Sequence, residues 1–146
     1  MNKINLFLLP LFLFTAMSLQ AKEIALTFDD APTEDSQLFS TAERTDQLIK
    51  NLEQAKTGPV MIFANPCRVL PEQAISELKK YVDHGHMIAN HTCDHSNLYK
   101  MTVTDYIENI KKADLLLSPL ISGDKFFRFP FLREGQDAKT RDQIRN

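Results

Sequence analysis

The sequence predicts an α/β fold on parallel strands. Short apolar runs alternate with stretches of helical period, and turn and cap residues fall between the runs rather than inside them. The residues capable of chemistry gather just after strands. Alternation of this kind joins parallel strands through right-handed helical crossovers, in an open sheet or a barrel. Functional groups then collect at the carboxyl ends of the strands.

About four strand–helix units follow one another. The first strand is expected at Ile24 to Phe28, where Ile24, Leu26 and Phe28 alternate. Leu48, Ile49, Leu52 and Ala55 mark one face of a helix from Glu43 to Ala55, stopped by Gly58-Pro59. Val60 to Ala64 is a continuous apolar run, as in a strand buried on both faces. Pro71 suits the first position of a helix that reaches about Asp83, with Ile75, Leu78 and Val82 on one side and Gly85 closing it. The third strand, Met87 to Ala89, leads straight into Asn90 and His91. Thr102 or Thr104 can cap the next helix, striped by Val103, Ile107 and Ile110 and broken at Ser118-Pro119. A fourth strand is expected over Lys125 to Phe129, and a last helix over Ala138 to Asn146.

With 146 residues, the chain has room for one domain. Its first 21 residues read as a secretory signal peptide: Lys3, an apolar run from Ile4 to Met17, then the small residues Ser18 and Ala21. Cleavage fits after Ala21, with Ser18 the second choice. The run is shorter than the roughly 20 residues that span a bilayer, and no basic stop-transfer flank follows, so no stable membrane anchor is expected. The domain is placed at 22–146, in a secreted or periplasmic setting. Removing Lys3 leaves it one charge more acidic than the formal −2 of the whole chain. No basic stripe rises above the mixed surface charge, which argues against a nucleic-acid partner. Two cysteines, Cys67 and Cys93, stand near neighbouring strand ends, where an oxidising compartment permits a bridge without requiring one.

Three segments carry the chemistry. His91 and His95 stand four apart in His91-Thr92-Cys93-Asp94-His95, a spacing at which two imidazoles can share one metal ion. A chance pair on a solvated loop has the same spacing. Asp29-Asp30 ends an apolar strand, where two adjacent carboxylates must be solvated, paired or metal-bound. Two histidines and one carboxylate leave a coordination position open, as catalytic sites do. Arg128 interrupts a phenylalanine-rich strand and needs a carboxylate partner unless it reaches the rim.

Together these segments resemble the polysaccharide deacetylase family, the NodB-homology domain or carbohydrate esterase family 4. Thr27 to Pro32 matches T-F-D-D-G-P with Ala31 in place of glycine, His91 to His95 matches H-[S/T]-x-x-H, and Arg128 to Phe131 matches R-x-P-[Y/F]. The resemblance covers roughly Lys22 to Arg133. It implies a distorted (β/α) barrel, present here in part, and hydrolytic removal of N-acetyl or O-acetyl groups from a polysaccharide such as peptidoglycan or a chitin-like polymer. By the same resemblance, Asp30, His91 and His95 hold a divalent metal, zinc first, with cobalt and nickel compatible. Asp29 is the general base, Arg128 bonds and orients it, a backbone N–H near Phe131 helps hold the oxyanion, and Pro130 and Phe131 wall the sugar groove.

Complete barrels of this type run to about 200–250 residues. The chain therefore reads as the N-terminal part of the domain, without the late histidine that the family uses to protonate the leaving amine. A non-catalytic remnant that binds metal or glycan is the alternative. Exposed strand edges would favour self-association. A receiver-type signalling domain also places acids after its first strand, but here the third strand ends in histidine. Another metal-dependent amide or ester hydrolase is the nearer rival.

Overall fold

The structure is a computed structural model that describes residues 23–145. The expected signal peptide and Asn146 lie outside the described residues. Three parallel strands form one sheet in the order β1-β2-β3: β1 Thr27–Ala31, β2 Met61–Ala64 and β3 Met87–Asn90. Helices α1 (Thr41–Ala55), α2 (Pro71–Asp83), α3 (Val103–Leu117) and α4 (Ala138–Arg145) alternate with and follow them. This is the parallel α/β arrangement expected from the sequence, and it contains part of a barrel.

Local chemistry sets the element ends. Ser40 accepts from the Glu43 backbone N–H while the Glu43 carboxylate accepts from the Ser40 N–H, so α1 begins with a reciprocal cap two residues earlier than its apolar stripe suggests. Pro71 occupies the first turn of α2, where its missing N–H costs nothing. Thr102, rather than Thr104, caps α3 through the Asp105 N–H.

Two expected strands change. The first lies three residues later than the alternation of Ile24, Leu26 and Phe28 implies. Its partner begins only after Gly58-Pro59, and the pairing opens where the Met61 N–H reaches the Leu26 carbonyl. Ile24, with nothing to pair against, is 83% exposed. At the other end the strand runs through both aspartates by way of a register shift between Asp29 and Ala31. The expected fourth strand, Lys125 to Phe129, is reduced to one parallel bridge, Asn90 with Phe127. The Asn90 N–H donates to the Phe126 carbonyl and the Arg128 N–H to the Asn90 carbonyl. Asn90 is the last residue of β3, so no further ladder is available, and Pro130 has no N–H to extend one.

The main core lies between the sheet and α1, α2 and α3, with Ile62, Ala64, Leu78, Ile88, Ala113 and Leu117 almost fully enclosed. A smaller cluster joins Leu98, Tyr106 and Phe129, with Phe127 and Ile110 packed against it. Cys67 and Cys93 form a disulfide with a Cα separation of 4.9 Å, tying the segment after β2 to the loop after β3.

Candidate functional site

All three chemical segments meet at the carboxyl ends of the strands. The Nε2 atoms of His91 and His95 lie 3.7 and 3.2 Å from Asp30 Oδ1, and the three ligand atoms fall within 4.8 Å of one another. The His91 and His95 rings stand 5.1 Å apart and are tilted. Asp30 Oδ1 is itself buried and has no hydrogen-bond partner among the described residues. A buried carboxylate oxygen facing two imidazole nitrogens, with nothing satisfying it, is a donor set that a divalent cation fits.

The backbone produces this convergence. In a regular strand Asp29 and Asp30 would face opposite sides of the sheet. The irregularity between Asp29 and Ala31, with Asp30 at φ 68°, turns both carboxylates towards the same rim. Thr92 and His95 also take left-handed conformations, at φ 67° and 63°, as do Phe131 and Leu132. The only other non-glycine residue of this kind among the described residues is Lys56, which ends α1. Backbone strain is thus concentrated at the site. Ala31, in the place where the motif has glycine, is not one of these residues and meets no such penalty.

His91 is prepared as a neutral donor. Its Nδ1 lies 2.8 Å from the Arg128 carbonyl, which can only accept, so Nδ1 carries the proton and Nε2 presents its lone pair to Asp30. Burial holds the imidazole below the ordinary histidine range, against the opposing pull of that carbonyl and of Asp29 and Asp30. Phe63 meets the His91 ring edge-on at 6.3 Å.

Arg128 finds the carboxylate it needs. Its Nη1 donates to Asp29 Oδ1 at 2.6 Å and to Thr27 Oγ1 at 3.0 Å, while its guanidinium carbon sits 3.9 Å above the Phe63 ring. Asp29 Oδ2 lies 3.9 Å from His91 Nε2, so its second oxygen stays beside that histidine. Phe131, 54% exposed, packs its ring 4.5 Å from His95. Pro130, expected in the groove wall, is fully buried.

Sequence reasoning missed the residues that hold the histidine loop. Asn65, fully buried at the end of β2, donates through Nδ2 to the His91 carbonyl and, at 3.2 Å, to the Thr92 carbonyl. Asn90 accepts from the Thr92 N–H and donates to the Ile110 carbonyl and to Asp114. Asn109, on α3, accepts from the Cys93 N–H and donates to Asp94. One signal was present: Ala64-Asn65 and Ala89-Asn90 place an asparagine after an apolar strand twice. His84 and His86, the remaining histidines, stand before β3, at the opposite end of that strand.

Comparison with known proteins agrees with this geometry. The family model described as polysaccharide deacetylase matches residues 16–146. A peptidoglycan-N-acetylglucosamine deacetylase of Bacillus cereus is 30% identical over 110 residues, covering 75% of this chain and 36% of that protein. A chitin deacetylase of Arthroderma benhamiae is 29% identical over 117 residues, covering 74% of this chain and 27% of its own length. The chain thus spans about a third of the length of the curated relatives it matches. Among solved structures, the Bc1960 peptidoglycan N-acetylglucosamine deacetylase superposes with a TM-score of 0.65 at 27% identity, over 84% of this chain and 50% of that one. The fold of the peptidoglycan deacetylase PdaC from Bacillus subtilis agrees at a TM-score of 0.63. The order of the three motifs, their convergence on one rim and these matches make the chain a member of the polysaccharide deacetylase family.

Proposed function

We propose that this chain carries the metal-binding rim of a hydrolase that removes acetyl groups from a polysaccharide outside the cytoplasm. The observation that carries the reading is the unsatisfied, buried Asp30 Oδ1 between two imidazole nitrogens. Asp30, His91 and His95 would hold a divalent cation, zinc first. Such a cation supplies Lewis-acid polarisation of an acyl carbonyl and favours deprotonation of water at neutral pH.

The chain's own residues do the rest. Asp29 takes the proton from the attacking water, and Arg128, bonded to one of its oxygens, holds the other towards His91. Phe63 supports the Arg128 guanidinium from below. Phe131 walls the groove beside His95, and a backbone N–H near Phe131 stabilises the developing oxyanion. The signal peptide at residues 1–21 directs the domain, residues 22–146, to the secreted or periplasmic space, where acetylated polymers lie. Among the described residues, no helix is long and apolar enough to cross a membrane.

Glycan or metal binding without turnover is the second reading. It is favoured by the position of His84 and His86 before β3, at the opposite end of that strand from the site, so that neither protonates a leaving amine there. One experiment addresses both. The chain is expected to retain one zinc ion through dialysis and to lose it as His91→Ala or His95→Ala, with acetate released from N-acetylglucosamine oligomers by the parent only. Full zinc retention in either variant refutes the metal centre. Zinc bound and glycan bound with no acetate released selects the second reading.

A further inference from the structure

A second cationic group faces the same rim and takes no part in that chemistry. The Arg133 guanidinium carbon lies 5.1 Å from the Tyr99 ring centroid and 5.7 Å from that of Phe131. Phe131 also packs against His95, so one phenyl ring serves both the candidate ligand and the arginine. The platform is fixed from two sides. Phe131 and Leu132 hold left-handed conformations, and the Tyr99 hydroxyl donates to the Gly135 carbonyl at 3.1 Å.

No carboxylate neutralises Arg133 among the described residues. Its acidic neighbour Glu134 pairs with Arg145, Asp94 accepts from Ser96 and Asn109, and Asp137 accepts from the Thr140 N–H at the start of α4. Arg133 itself is exposed. A guanidinium packed on aromatic rings keeps its in-plane N–H groups available, and their fork matches the two oxygens of a carboxylate.

We propose that Tyr99, Phe131 and Arg133 form a subsite for a carboxylate borne by the glycan, next to the sugar whose acetamide enters the Asp30–His91–His95 centre. The inference rests on the deacetylase reading above and makes it narrower. The polymer is acidic, with a lactyl-ether or uronic-acid carboxylate, rather than a neutral chain of N-acetylglucosamine.

Titration calorimetry of the zinc-loaded chain tests this with two oligosaccharides of equal length, one neutral and one bearing a lactyl carboxylate on alternate sugars. The acidic oligomer is expected to bind more tightly, and Arg133→Gln is expected to lower the ratio of the two affinities about tenfold. Arg133→Lys should recover only part of that ratio, because an ammonium lacks the fork. An unchanged ratio in Arg133→Gln, or an equal loss for both oligomers, overturns the subsite. Acetate measured in the same samples reports separately on the deacetylase reading. A charge preference with no acetate in any sample keeps the subsite and removes the hydrolase, whereas no binding of either oligomer removes the subsite.

Discussion

Replacing Asn65 with alanine should damage the site without touching a ligand. The Asn65 side chain is fully enclosed and joins the end of β2 to the histidine loop by two hydrogen bonds from Nδ2. Alanine removes both and leaves the His91 and Thr92 carbonyls unmet, at about 1–3 kcal/mol each. Against this, Asn65 Oδ1 already lacks a partner, so its removal relieves part of a desolvation cost. The backbone N–H of residue 65 keeps its bond to the Ala31 carbonyl. The net loss comes to roughly 2–4 kcal/mol. With a urea dependence of about 2 kcal/mol per molar, the unfolding midpoint should fall by roughly 1–2 M. Groups that orient ligands from behind typically change metal affinity by about 10–100-fold, so zinc affinity, read by competition with a chromogenic chelator, should weaken within that range. Asn65→Asp keeps the shape but points a carboxylate oxygen at two carbonyls, and should cost more than alanine. A midpoint shift below about 0.3 M in Asn65→Ala, or unchanged zinc affinity in a destabilised variant, would refute the claim that β2 holds the histidine loop.

Two further outcomes follow from neighbouring features. Burial, helped by the charge of His84 and opposed by Glu53, holds His86 below the ordinary histidine value, and its Nδ1 accepts from the Val60 N–H. The folded state therefore binds fewer protons than the unfolded state between that lowered value and about 6.5, so metal-free stability should rise with pH across this window and be lost on acidification through it. His91 adds the same sign, and urea midpoints for His86→Asn, which keeps an acceptor but cannot titrate, should show a flatter slope. Replacing Cys67 and Cys93 with serine removes a tie across a sequence separation of 26 residues, worth about 3 kcal/mol, and frees the loop that carries both histidines. Both the unfolding midpoint and the zinc affinity should fall, and an unaltered zinc affinity would show that the loop needs no such brace.

Much of the fold was legible because hydrophobic period and caps act locally. Pro71 and Gly85 bound α2 as expected, and four residues of the expected Val60 to Ala64 run, Met61–Ala64, form a strand whose last three residues are enclosed on both faces. The strand ends were not legible, since they depend on a partner. Ile24 alternates with Leu26 and Phe28 but lies beyond the pairing, which opens at the Leu26 carbonyl, and the 125–129 run meets only the last residue of β3. The candidate ligands could be read from motif and spacing because metal chemistry restricts which side chains serve. The asparagines behind them could not, because a buried amide reveals its partners only once the loops have folded over it. Arg133 was overlooked for a related reason: an exposed cation in a loop carries no pattern until two aromatic rings from separate segments close around it.

The left-handed turn at Asp30 makes position 30 doubly selective. Most side chains placed there would cost about 1–2 kcal/mol in backbone strain before any question of charge arose, whereas asparagine and glycine tolerate such a conformation better. Asparagine would therefore delete the negative charge while sparing the loop, and glycine would delete the side chain while sparing the loop. At Asp29, one residue earlier, the backbone imposes no such filter. Two chemically identical neighbours thus accept quite different sets of replacements, and a survey of tolerated variants would separate them without any assay of catalysis.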